Sequence, residues 1–203
     1  MSNYTKQIEN KIKDFNSGKV FIANDFLKIS SYETVRRILN RLVDNGKIKR
    51  IIKGFYYSPK YSELLQEYAT PSMHELAIAI ARKYNWDIAP SGVTALNILG
   101  LSTQVPAKYT YVSSGRSKEF SVGNITIVFK KVKPGDVANM SFKTATIIQA
   151  IKALGKEGVT NKHIRQIQRT LNENEKSNLM NEAISAAAWI YEIIRKVCEE
   201  NNE

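Results

Sequence analysis

The 203 residues carry 30 Lys and Arg against 19 Asp and Glu, a net charge of +11 at neutral pH, and 43% of them are hydrophobic. That apolar share is ordinary for a folded chain and excludes a disordered one; a single cysteine, Cys198, excludes a disulfide framework and a cysteine-cluster metal centre. No apolar run reaches the ~20 residues of a membrane-spanning helix, and residues 1–14 contain no hydrophobic signal core, so the expected location is the cytoplasm.

The charge is uneven. Residues 1–60 hold thirteen Lys and Arg and five Asp and Glu, an excess of eight, whereas residues 61–203 hold seventeen and fourteen, an excess of three. A basic patch concentrated in one part of a chain is the electrostatic footprint of a nucleic-acid binder. A solvated basic surface that aids solubility is the plainer alternative.

Residues 5–15 place Ile8, Ile12 and Phe15 on one helical face, and Asn16, Ser17 and Gly18 stop that helix. Residues 19–22 are a short extended piece. A brief helix starts at Ala23 or Asn24 and ends near Lys28 and Ile29. A short turn leads to a longer helix, which Ser30 is placed to cap, with Glu33 three residues on to reach back. Val35, Ile38, Leu39, Leu42 and Val43 repeat at helical spacing, and Thr34, Arg36, Arg37, Asn40 and Arg41 occupy the other side. Gly46, after Asn45, ends the helix. Residues 47–52, the pair Lys53 and Gly54, and residues 55–57 then read as strand, tight turn and strand with a basic tip. Helix, short strand, two helices and hairpin is the order of a winged helix-turn-helix, expected here over residues 1–61.

In that fold the second of the paired helices enters the major groove, its first turns nearest the bases. The expected DNA contacts are therefore Ser31, Tyr32 and Thr34 near the entry, and Arg36, Arg37, Asn40 and Arg41 on phosphates or base edges. Lys49, Arg50 and Lys53 would reach the flanking backbone or minor groove. Tyr56 and Tyr57 are expected to pack under the hairpin. A protein-interaction module of the same fold is the alternative, and it would not need so many outward arginines.

Residues 62–71 are expected to be a linker, and residues 72–203 a mixed α+β domain with a β-hairpin and a helical C-terminal part. Ser72 and Glu75 open a helix with Leu76, Ile80, Ala81 and Tyr84 inward, His74 being a surface residue of its first turn. Then come a strand over 87–90, a short helix over 91–100, a loop over 101–106, a strand over 108–112, and a hairpin of 118–122 and 125–132 around Gly123 and Asn124. Pro134 and Gly135 break the pattern. Helices follow over 143–154, 160–171, 174–182 and 185–199; Trp189, Ile193 and Val197 share one face of the last, Cys198 is an inert thiol, and residues 199–203 are a frayed acidic tail.

Little in this chain suggests catalysis. No glycine-rich phosphate loop occurs. Ser91 and Gly92 look like the opening of a nucleotidyltransferase motif, but two-metal chemistry needs closely spaced aspartates. The second domain has only Asp87 and Asp136. No catalytic set, metal or cofactor is expected.

The run from Ser91 to Lys108, Ser-Gly-x-x-Ala-x-Asn-x-Leu-Gly-Leu-Ser-Thr-Gln-Val-Pro-Ala-Lys, resembles the signature stretch of AbiEi-like antitoxins. These are the antitoxins of type IV toxin–antitoxin systems linked to abortive phage infection. The likeness extends to the Lys-Gly-Phe-Tyr-Tyr hairpin at 53–57 and the Ala-Trp-Ile-x-Glu-Ile-Ile ending at 188–194. The resemblance implies a winged helix that represses its own operon on inverted repeats of double-stranded DNA, which needs two copies and so a homodimer on the operator. It also implies a second domain that counteracts a toxin with a nucleotidyltransferase fold. Ser91, Asn97, Thr103, Gln104, Arg116 and Lys118, polar members of the signature or of the adjoining hairpin, form the candidate antitoxin surface. Capping, loop hydrogen bonding and ordinary surface charge are their alternative roles. Two other readings stay open. One is an orphan winged-helix regulator whose second domain senses a ligand or oligomerises; the other is a nucleic-acid-modifying enzyme with a winged-helix targeting domain.

Overall fold

The apolar stripe of residues 5–15 becomes α1 (Asn3–Lys13), which buries Thr5, Ile8 and Ile12. The computed structural model describes residues 3–62, 66–133 and 137–199. Phe15, just past α1, packs its ring against Phe21 at 5.5 Å and Phe26 at 6.0 Å between centroids. Phe21 belongs to β1 (Val20–Phe21), and Phe26 to a 3₁₀ turn, Ala23–Phe26. Next, α2 (Tyr32–Asp44) buries Val35, Ile38, Leu39 and Leu42, four members of the expected stripe. Its cap differs from the sequence expectation by one residue. Ser31, not Ser30, accepts the Thr34 N–H at 3.5 Å, and Glu33 pairs forward with Arg36 at 3.0 Å instead of reaching back. Two adjacent serines offer the same chemistry, so the spacing to Glu33 does not choose between them.

β2 (Lys49–Ile52) and β3 (Phe55–Tyr57) form the expected hairpin, with a register shift between Arg50 and Ile52. Gly54 sits at φ +85°, a conformation that costs a glycine little. β1 also pairs antiparallel with β3, so the small sheet runs β1-β3-β2. Tyr56 and Tyr57 are buried, as expected.

The stretch expected as a linker begins a further hairpin: β4 (Lys60–Ser62) pairs antiparallel with β5 (Glu67–Ala69). Residues 63–65 lie outside the described residues. α3 (Met73–Tyr84) starts at Ser72, whose hydroxyl accepts the Glu75 N–H at 3.1 Å. The chain divides into two compact units, Met1–Asn85 and Trp86–Glu203, so the boundary falls after α3 and not at residues 62–71. Arg82 is one reason. Its guanidinium donates to the Val20 carbonyl at 3.1 Å and to the Asp25 carboxylate at 2.9 Å, tying α3 to β1 and the 3₁₀ turn. Both side chains are partly covered, so Arg82→Ala is expected to cost about 1–2 kcal/mol after allowance for solvent screening. A denaturant midpoint unchanged from the parent would reject that anchoring role. His74, in the first turn of α3, is half-buried; burial pushes its pKa down against the raising effect of Glu75.

In the second unit β6 (Ile88–Pro90), β7 (Lys108–Ser113), β8 (Lys118–Val122) and β9 (Ile125–Lys131) make one sheet in the order β6-β7-β9-β8. β8 and β9 are the expected hairpin, while β7 and β9 run parallel, from Lys108 opposite Thr126 to Ser113 opposite Lys131. α4 (Val93–Ile98) links β6 to the loop before β7. The helical part is α5 (Phe142–Leu154), α6 (Asn161–Gln168), α7 (Glu173–Glu182) and α8 (Ala188–Cys198). Ser141, Thr160 and Asn172 cap the first three. α8 begins three residues later than expected, because residues 183–185 form a 3₁₀ turn. Ile147, Ile151, Ile167, Leu179, Ile190, Ile194 and Val197 are buried together with Ala95 and Leu99 of the α4 region. Trp189 packs at the margin. Cys198 donates to the Lys176 carbonyl at 3.6 Å, and burial pushes its thiol pKa up, which suits an inert thiol. The expected break at Pro134 and Gly135, together with Asp136 and the tail at 200–203, falls outside the described residues. The protein is α+β among the described residues.

Glu182 closes the start of α5. Its carboxylate accepts from both the N–H and the hydroxyl of Ser141 at 2.8 Å. Partial burial raises its pKa, but the hydrogen bonds from Thr144 and Ser141 outweigh that and hold it below the usual value of 4.5. A carboxyl depressed in the folded state contributes stability above its unfolded pKa and loses it as pH falls through the folded one. The melting temperature is therefore expected to fall on acidification below about pH 4.5, and less so in Glu182→Gln. Parallel curves for the two chains would contradict this.

Candidate nucleic-acid interface

The outward face of α2 does not stand alone. Together with the β2–β3 hairpin and the end of α3 it walls a cleft of about 380 Å³ within the first unit. α2 contributes Tyr32, Arg36 and Asn40; the hairpin contributes Arg50, Lys53, Gly54 and Tyr56; α3 contributes Lys83 and Tyr84; residues 22–24 complete the wall. Among the described residues the lining holds four cationic side chains and no carboxylate.

Asn40 is the hub. Its Oδ1 accepts from Arg50 Nη2 at 2.8 Å and from the Tyr56 hydroxyl at 3.3 Å. A guanidinium has no acceptor, so the atom facing Arg50 must be the amide oxygen, which leaves the Asn40 amino group as the donor available to a ligand. Arg50 also lies over the Tyr56 ring, 5.7 Å from its centroid. The bond from α2 to β2 thus fixes the hairpin's angle to the helix. Arg36 pairs with Glu33, but both are exposed, so the pair is weak and readily exchanged for a phosphate.

Five of the ten residues expected to touch DNA, Tyr32, Arg36, Asn40, Arg50 and Lys53, line this cleft. The other five do not. Ser31 and Thr34 are engaged with each other, hydroxyl to hydroxyl at 3.1 Å, in starting α2. Arg41 donates to the Thr5 hydroxyl at 2.8 Å, against α1. Arg37 is exposed outside the lining, and Lys49 sits 5.9 Å from the Tyr68 ring centroid. Lys83 and Asn24 are lining residues that the sequence reading missed. Lys83 reads locally as a cation in the last turn of a helix, complementing its dipole, and nothing in its neighbourhood announces the hairpin.

The expected antitoxin surface also divides. Ser91 and Gln104 line a shallow hollow of about 380 Å³ with Lys108, Thr110 and Lys130. Asn97 donates to the Gln104 carbonyl at 3.4 Å, and the Gln104 N–H donates to the Ser102 hydroxyl at 3.1 Å, so these signature residues hold their own loop. Thr103 is exposed outside that lining. Arg116 and Lys118 stand at the β7–β8 connection and also lie outside it; the Lys118 ammonium is 4.8 Å from the Phe120 ring centroid. Lys130, on β9, joins the hollow from a strand the motif does not include. Among the described residues no group of three or more His, Cys, Asp and Glu side chains is placed to hold a metal ion. Among them also, no helix is long and apolar enough to cross a membrane.

No curated protein matches the chain. Among solved structures, the crystal structure of the RV2827C protein from Mycobacterium tuberculosis is similar at 9% identity and a TM-score of 0.45, over 98% of this chain and 77% of that one. A family model matches residues 7–179, and the chain accordingly belongs to the family of unknown function DUF6088.

Proposed function

We propose that the protein is a DNA-binding transcriptional repressor whose first unit is a winged helix-turn-helix and whose second unit is an antitoxin of the AbiE type. It would repress its own operon from inverted repeats, as a pair of chains on DNA, and counteract a nucleotidyltransferase-type toxin. The observation that carries the DNA half is the cleft: four cations from α2, the hairpin and α3 line it with no carboxylate among the described residues. In this reading α2 lies in the major groove. Arg36, Arg50 and Lys53 neutralise phosphates, releasing counterions, and the free amino group of Asn40 faces acceptors on base edges. The antitoxin half is supported only by resemblance, that of residues 91–108 and of the ending at 188–194.

The test is a titration of the full chain and an Arg36→Ala/Arg50→Ala/Lys53→Ala variant against the duplex upstream of its own gene and against a scrambled duplex, at several salt concentrations. Each phosphate contact contributes about 0.9 to the slope of log affinity against log salt, so the slope is expected to fall by about 2–3 in the variant. Equal affinity for both duplexes in the parent chain would reject a sequence-selective repressor. The antitoxin half predicts that an adjacent gene arrests growth when expressed alone and not when expressed with this one. Absence of arrest would leave an orphan regulator.

A further inference from the structure

We propose that Lys83 is a phosphate ligand of the DNA cleft, so that one backbone phosphodiester is gripped by three chain elements, α2, the hairpin and α3, and not by helix and hairpin alone. The inference rests on the DNA-binding reading above and adds a residue that lies beyond the helix-turn-helix and its hairpin. Lys83 and its neighbour Arg82 have different tasks. Arg82 is fastened to Val20 and Asp25, which holds the last turn of α3 in place. Lys83 lies on the cleft side, in the same lining as Arg36, Asn40, Arg50 and Lys53.

The hairpin tip is shaped to receive it. Gly54 has φ +85°, and a Cβ there would stand 2.9 Å from the Lys83 Nζ. A side chain at this position would make the ammonium shift, a small move for the end of a flexible chain. The ammonium sits 4.7 Å from the Phe55 ring centroid and 5.9 Å from that of Tyr84. Ring faces attract the charge and so fix its place, but they accept no ordinary hydrogen bond. An ammonium has three N–H donors, and the chemistry that suits a fixed ammonium beside guanidinium groups is an anionic oxygen. On a duplex that oxygen is a phosphate.

The first experiment needs no substitution. The full chain is acetylated under limiting conditions, with and without the upstream duplex, and modification of each lysine is read by mass spectrometry. Lys83 is expected to be protected by DNA at least as strongly as Lys53; a Lys83 modified equally in both samples overturns the proposal. The second experiment repeats the salt titration with Lys83→Met and Lys83→Arg, each checked by thermal melting. The Met variant should lose about 0.9 from the slope and keep its preference for the operator, and the Arg variant should restore it. A slope unchanged in a folded Met variant also overturns the proposal. The two readings separate cleanly. A parent chain that binds no DNA defeats both. Binding weakened by loss of Arg36, Arg50 and Lys53, with Lys83 unprotected, defeats only this one.

Discussion

Phe21→Ala is expected to lower the stability of the first unit by about 3–5 kcal/mol, the range for deleting a buried aromatic ring. Phe21 is fully buried, with the rings of Phe15, Phe26 and Tyr56 at 5.5, 5.7 and 6.4 Å. The cavity would open beside three aromatic side chains that cannot collapse into it without leaving their own places, which puts the cost at the upper end of ordinary core substitutions. Domains of this size are stable by only about 5–15 kcal/mol, so the variant should unfold at a much lower denaturant concentration, the second unit keeping its own transition. The consequence reaches the cleft. Phe21 supports Tyr56, Tyr56 donates to Asn40, and Asn40 holds Arg50. In the proposed DNA-binding reading, affinity for the duplex should fall with the melting of the first unit, and Phe21→Leu should recover most of both. A Phe21→Ala chain with the parent's denaturant midpoint would show that the ring cluster is not the core of this unit.

The second large effect is expected at Gly115. It lies just past β7, and a Cβ built there would fall inside the Trp86 indole. Neither side can retreat easily. The Gly115 N–H donates to the Ser113 hydroxyl at 3.0 Å, and Ser114 exchanges two hydrogen bonds of 2.9 Å with the backbone of Asp87. Trp86 in turn meets Phe129 edge-on, 5.6 Å between centroids. Gly115→Ala should therefore cost about 1–3 kcal/mol as an overpacked site, or more if the loop must detach. Trp86→Leu removes the indole whose Nε1, Cδ1 and Cε2 the new Cβ would meet. Combined with Gly115→Ala it should cost less than the sum of the two single changes, a coupling that double-mutant analysis measures. Additive losses, or a Gly115→Ala chain that melts with the parent, would refute the close packing.

Periodicity carried the local elements well. The stripe from Val35 to Leu42 is buried as its spacing requires, and Lys53 with Gly54 turns the hairpin. What could not be read were pairings between distant segments. The parallel match of β7 with β9 is invisible to alternation, which says that a strand has two faces and nothing of its neighbour's direction. The unit boundary was misplaced for the same reason: Ser72 and Glu75 announce where α3 begins, but its attachment depends on Arg82 meeting Val20 and Asp25 some sixty residues earlier. At the cleft, Arg36 and Asn40 share a helix face with Tyr32 by simple i, i+4 geometry, so they were legible together. Arg41 was not, because its partner Thr5 is on another helix. Lys83 was not, because a basic last turn is a common helix ending.

The allegiance of α3 decides where this chain can be cut. A fragment ending at residue 61 would keep every motif that suggests DNA binding and still lose Arg82, taking that partner from the Asp25 carboxylate, which keeps the Ile22 N–H, and stripping one wall from the cleft. A fragment ending at Asn85, itself in the left-handed conformation that closes α3, keeps the wall and the anchor. Dissection of this family into working parts should follow the second cut, and swaps of the first unit between relatives should carry α3 along.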